Sequence, residues 1–160
     1  MGESMADERT VHRATLAQLF AQVPDGQAAP DLRIQLRELI HTRGQPIVTV
    51  TLALHGRRVV GIGRGQADPT APLECTAADA TVQAINRLIT PMTQLRLEHV
   101  QRTQLGQLDL CLVQLTVVVD DDQQTAIGVS RIRSDSAEAA ARAVLDATNR
   151  YLARLVPIPA

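Results

Sequence analysis

Apolar and polar positions along this chain follow two rhythms, and each rhythm occurs twice. From Leu32 to Leu54 (LRIQLRELIHTRGQPIVTVTLAL) apolar residues fall on about every second position, the period of a half-buried strand. Leu32, Ile34 and Leu36 share a face, and the phase slips at Leu39-Ile40, where a β-bulge would restore it. A His55-Gly56-Arg57 turn then leads into another strand-like run ending in Val59 to Gly65 (VVGIGRG). Between Glu74 and Ile89 (ECTAADATVQAINRLI) the period lengthens to that of a helix, with Ala78, Val82, Ile85, Leu88 and Ile89 forming a stripe opposite Asp79, Gln83 and Arg87. Thr76 with Asp79 three positions on reads as a capping-box-like start, and Thr90-Pro91 as a stop.

The same order then returns. A strand is expected near Gln94 to Thr103, a turn at Leu105-Gly106-Gln107, a strand at Leu108 to Val119, an acidic turn at Asp120 to Gln123 and a strand from Gln124 to about Ile132. Asp135, with Glu138 three positions on, is placed to cap a final helix, whose stripe is Ala140, Val144, Ala147, Tyr151 and Leu155 with Leu145, Thr148 and Leu152 alongside. Ile62-Gly63 falls on Ile127-Gly128 at an offset of 65, and Asn86-Arg87 on Asn149-Arg150 at an offset of 63. A unit this long is a complete supersecondary motif, and two copies predict one pseudo-twofold domain rather than a solenoid.

The expected fold is therefore α+β: two βββα repeats, 32–91 and 94–155, with pseudo-twofold symmetry and helices packed on one side of antiparallel sheets. Val82 and Ile85 should occupy core positions equivalent to Leu145 and Thr148. Residues 1–31 form a tail, a short helix from Glu8 to Val23 stopped by Pro24-Asp25-Gly26, and a linker, while 32–160 form the single domain.

Composition narrows the function classes. The 160 residues carry a net charge of −1 and 45% hydrophobic residues, the profile of a globular chain with no field to attract nucleic acid or an acidic membrane. All sixteen basic residues are Arg, and Tyr151 and Phe20 are the only aromatics, so stacking platforms for single strands are missing. No apolar run approaches the ~20 residues of a membrane span, and MGESMADERT lacks a signal peptide's regions, so a cytoplasmic location is expected.

No catalytic constellation emerges. His12, His41, His55 and His99 are scattered, without metal-ligand spacing, so no metal or cofactor is expected. Cys111 alternates with apolar neighbours as a small core residue, and Cys75 sits at a helix start, where a thiol pKa can fall. The Asp120 to Asp122 run lacks a calcium loop's spaced ligands. Gly61-Ile62-Gly63-Arg64-Gly65 precedes a helix, but the crossing Gln66 to Leu73 is too long for a dinucleotide fingerprint. Such glycines permit close approach of a helix, a subunit or a small ligand.

The pattern VTVTLALHGRRVVGIGRG followed by a helix, then LVQLTVVVDDDQQTAIGVS followed by SAEAAARAVLDATNRYL, resembles the C-terminal allosteric (dimerisation) domain of 2-isopropylmalate and citramalate synthases. The resemblance covers about Leu32 to Leu155 and is strongest at Gly128-Val129-Ser130 and from Glu138 to Arg150. It implies two strand-strand-strand-helix units that pair into a homodimer or higher homo-oligomer. It also implies an effector pocket and a synthase-like protein partner. No counterpart of the family's catalytic barrel is present in the sequence, so the implied role is non-catalytic: a stand-alone regulatory-type domain that self-associates and senses a small metabolite such as a branched-chain amino acid. The alternative is a purely structural, scaffolding oligomerisation module without the pocket. Here the crossing Arg131 to Ser136 is about three residues longer than the family's. A retained pocket would lie between the third strand and the helix start of each repeat, lined by Gly63 and Gly65 in the first and Gly128, Ser130, Ser134 and Asp135 in the second, where helix N–H groups favour a carboxylate.

Overall fold

The computed structural model describes residues 33–42, 44–54, 56–64, 72–89 and 93–155, with side chains as far as Tyr151. The expected Glu8 to Val23 helix, Gly65, His12 and His55 lie outside the described residues.

Three antiparallel strands, β1 (Gln35–His41), β2 (Ile47–Leu54) and β3 (Arg57–Arg64), form one sheet in the order β1-β2-β3 and are followed by α1 (Leu73–Leu88). The second unit repeats this with β4 (Thr93–Leu105), β5 (Leu108–Val119) and β6 (Asp122–Arg131), ordered β4-β5-β6, and α2 (Ser136–Leu155). The arrangement is the α+β pair of βββα units read from the sequence. Both units carry the bulge, between Leu36 and Glu38 in β1 and between Leu97 and His99 in β4. It lies slightly earlier than the phase slip suggests, because the inserted residue must precede Leu39 to turn Leu36 and Leu39 to the same face.

Two-residue turns join the longer strands. Gly106 (φ +61°) and Asp120 (φ +55°) take the left-handed conformation that such hairpins need, the one through lacking a Cβ and the other as a residue type that tolerates it.

Each helix binds its own sheet and the other unit. α1 lies on β2 and β3, on α2 and on β4; α2 lies on β5 and β6, on α1 and on β1. The core between them contains the fully buried Leu52, Val50, Ile85, Leu115, Val113 and Val144. Val82, Ile85, Leu145 and Thr148 are all buried, at the equivalent positions expected. The alanine-rich faces meet the glycines of the third strands: a Cβ on Gly61 would stand 2.0 Å from the Ala80 carbonyl oxygen, one on Gly128 1.9 Å from that of Ala143, and one on Gly63 2.2 Å from that of Thr76. The counterpart of Gly128 is therefore Gly61, and the overlay of Ile62-Gly63 on Ile127-Gly128 is two residues out of register. The helices therefore ride on the strand backbones at a distance that only glycine permits.

Two asparagines lock the units together. Asn86 on α1 accepts the Leu95 N–H (2.8 Å) and donates to the Leu95 carbonyl (3.0 Å). Asn149 on α2 accepts the Ile34 N–H (2.9 Å) and donates to the Ile34 carbonyl (3.1 Å). Each helix thus grips the backbone just before or within the first strand of the other unit, so the exchange is reciprocal. A carboxamide is the side chain that can accept and donate at once, which suits it to one residue's N–H and C=O. The neighbouring arginine position diverges: Arg87 donates to the Val60 carbonyl on β3, whereas Arg150 pairs with Asp146, whose Oδ2 accepts the Val129 N–H (3.0 Å) on β6. Both third strands, β3 and β6, are thereby engaged by a helix side chain.

One local expectation is corrected. α1 begins at Leu73, with Pro72 at its N-cap and no side-chain cap, so Thr76 is not the cap; it is buried, and Asp79 accepts from Gln83 at 2.8 Å. Proline's fixed φ suits a helix entry, and the Pro72 carbonyl accepts the Cys75 N–H at 3.1 Å, so the first turn closes without a hydroxyl cap.

Candidate functional site at the start of the second helix

The crossing from β6 to α2 frames an open cleft of about 510 Å³. Ser130 comes from the end of β6, Ser134 and Asp135 from the crossing, and Glu138 and Arg142 from the first turns of α2; Arg133 and Ala139 complete the lining with Val129 and Arg131, which border it from the edge of β6 on the row of the sheet turned away from α2. The chain folds this way because Asp135 ends the crossing as an N-cap: its Oδ1 accepts the Ala137 N–H at 2.9 Å, and its carbonyl accepts the Ala139 N–H at 3.2 Å. Glu138 does not complete a capping box. It takes Arg142 instead, at 2.7 Å, in an i,i+4 pair along the helix surface.

Charge is unevenly placed across the cleft. Arg131 lies at the strand end and Arg133 just beyond it, both exposed, while the second Asp135 carboxylate oxygen, Oδ2, lies 3.8 Å from His41 Nε2 at the end of β1. Cationic and anionic residues therefore border the same space. Such a lining suits a small zwitterion, its carboxylate toward the guanidinium groups and its ammonium toward Asp135 or Glu138.

Of the residues singled out from sequence, Ser130, Ser134 and Asp135 are brought together here. Gly63 and Gly128 are not open to this space: the backbones of α1 and α2 cover them, so the close approach they allow is that of a helix. Arg131, Arg133, Glu138 and Arg142 join the site without having been expected in it. The signal for the first two lies in their alternation at a strand end, and for the others in their i,i+4 spacing beside the expected cap.

The thiols are not nucleophiles in waiting. Burial, and secondly the Glu74 carboxylate, raise the pKa of Cys75, so the helix start does not lower it as the sequence position suggests. Burial pushes Cys111 up to about 11. Because the folded value lies above the ordinary 9.0, the stability contributed by the neutral Cys111 thiol is present below pH 9 and lost as pH rises toward about 11. Iodoacetamide at mildly alkaline pH should leave Cys111 unlabelled in the folded protein, as read by peptide mass spectrometry. Labelling as fast as in urea would contradict its burial. Among the described residues no group of three or more His, Cys, Asp or Glu side chains is placed to hold a metal ion, and no helix is long and apolar enough to cross a membrane.

No family model matches the chain, and no curated protein matches it either.

Proposed function

We propose that the chain is a non-catalytic regulatory-type domain, similar to the C-terminal domain of 2-isopropylmalate synthases, that self-associates in the cytoplasm and binds a small amino acid at the start of α2. The observation that supports it most is the cleft, whose lining brings Arg131 and Arg133 together with Asp135, Val129 and Ala139. A zwitterion with a short aliphatic side chain has a counterpart for each of those residue types. The helix N-terminus adds a modest preference for the carboxylate, which Asp135, already capping, partly offsets. Self-association is supported by β5, whose Leu110, Leu112 and Val118 on the face away from the helices are only partly covered within one chain. Strands apolar on consecutive positions are ordinarily covered on both faces.

A thermal-shift screen of amino acids and 2-oxo acids tests the ligand. A ligand at about a hundred times its dissociation constant adds ~2.7 kcal/mol, which for a domain of this size raises the melting temperature by roughly 5 to 10 °C. Branched-chain amino acids should give such a shift. No shift across the screen, with the protein folded and oligomeric, would leave the scaffolding module as the reading; the open form of the cleft and the prior engagement of Asp135 favour that second reading.

A further inference from the structure

We propose that a second copy of this chain docks on the outer face of the β4-β5-β6 sheet and not on the matching face of the β1-β2-β3 sheet. This rests on the self-association reading above and names its surface. Residues paired in register share a face, so Ile127, opposite Gln114, and Val129, opposite Leu112, project away from α2, whereas Gly128, opposite Val113, projects toward it. Ile127 is 60% exposed and Val129 40%, and the same face continues through Leu108 at 38% and Leu105 at 67%. In the first sheet Ile62 (41%), Val60 (40%) and Ile40 (51%) occupy the corresponding outer face.

Two differences separate the faces. The first is extent. β5 has 12 residues and β2 has 8; with strands ~4.8 Å apart and a rise of ~3.3 Å per residue, three strands give plan areas of roughly 550 and 370 Å². A standard interface buries ~800 Å² of accessible surface per partner. A pleated, side-chain-covered face exceeds its plan area, so the longer sheet comes close to that requirement and the shorter falls well below. The second is charge. Glu38, Arg58 and Arg64 stand on the outer face of the small sheet, in register with Thr51, Ala53 and Ile47. On the larger face the arginines are Arg96 and Arg131, in register with Thr116 and Leu110 on the two flanking strands, and His99 stands opposite Gln114. The outward rows of β2 and β5 are both uncharged, so the difference is one of density, three charges around the shorter row and two around the longer. A second copy can cover that row without burying a charge, which is why the occupant is the chain itself and not a charged partner. Face packing is also the route left open at this end of the sheet, because Asp146 already takes the Val129 N–H that an added edge strand would use.

The pseudo-symmetry supplies a matched control. Ile127→Asp should raise the dissociation constant of the assembly about a hundredfold or more, since a carboxylate would be left in an apolar contact. Val60→Asp, at the equivalent position before Gly61 and in register with Thr51 as Ile127 is with Gln114, should change it less than about threefold. Sedimentation equilibrium reads both, against the 17.3 kDa of one chain, with far-UV circular dichroism checking the fold. Should Ile127→Asp fail to fold, Ile127→Gln, which adds no charge, takes its place, with a shift of about tenfold or more expected. Assembly unchanged in the Ile127 variants, or lost in Val60→Asp, would overturn the assignment. A wild-type chain that is monomeric at high micromolar concentration would instead remove the self-association reading itself.

Discussion

Gly128→Ala should destabilise the protein by about 3 kcal/mol or more, enough to leave little of a stability that for domains of this kind is ~5–15 kcal/mol. The added Cβ would stand 1.9 Å from the Ala143 carbonyl oxygen and 2.7 Å from the Ala147 nitrogen. Overpacking commonly costs ~1–3 kcal/mol when a flexible side chain can yield. Here the obstacles are backbone atoms of α2, held by the helix's own hydrogen bonds, so the helix as a whole must withdraw. Withdrawal would also pull Asp146 from the Val129 N–H and loosen the contact between Asn149 and Ile34. Gly106→Ala is the control: φ is +61° but nothing lies within 4 Å, so only the conformational penalty of about 1 kcal/mol applies. Urea unfolding measures both. A Gly128→Ala protein that loses no more than about 1 kcal/mol, the cost of the backbone conformation alone at Gly106, would show that the sheet and helix are not in contact there.

Asn149→Ala should cost about 2 to 4 kcal/mol, and Asn86→Ala a similar amount, because each strands two backbone groups at once. Ile34 and Leu95 are 2% and 3% exposed, so water does not readily replace the lost carboxamide. An unsatisfied buried donor or acceptor costs ~1–3 kcal/mol. The two clasps lie on opposite units and share no partner, so the losses should add, and the double variant should be largely unfolded. Asn149→Asp retains the acceptor for the Ile34 N–H and loses the donor, so at neutral pH it sets a carboxylate against the Ile34 carbonyl and should not rescue. Denaturant midpoints check the series, and amide hydrogen exchange at Ile34 reports the local opening. A loss below ~0.5 kcal/mol in both single variants would mean that helix packing alone holds the units together.

Much of this fold is legible in the sequence, for identifiable reasons. Period-two runs ending in turn residues mark the strands, and the offset between Asn86-Arg87 and Asn149-Arg150 marks the repeat. The partners of those asparagines are not legible, since a carboxamide reaching Ile34 from a position 115 residues away leaves no local pattern. The start of α1 is misread because Thr76-x-x-Asp79 imitates a capping box, whereas the N-cap is Pro72, four residues earlier. In the candidate site, Ser130, Ser134 and Asp135 can be found because a strand end and an N-cap are both visible in sequence. Gly63 and Gly128 belong to packing instead: a ligand and a helix make the same demand on a backbone, that no Cβ be present, and the sequence records only the demand.

Binding of a small amino acid where β6 passes into α2 is the central claim, and its most direct test is a titration of the isotope-labelled protein with leucine, followed through its backbone amide resonances. Saturable shifts that cluster at Ser130, Arg131, Ser134, Asp135 and Glu138, all lining the cleft, and spare the Gly106 turn are the predicted result. Saturation with the largest shifts elsewhere, or no shift at millimolar leucine, isoleucine and valine, would contradict it.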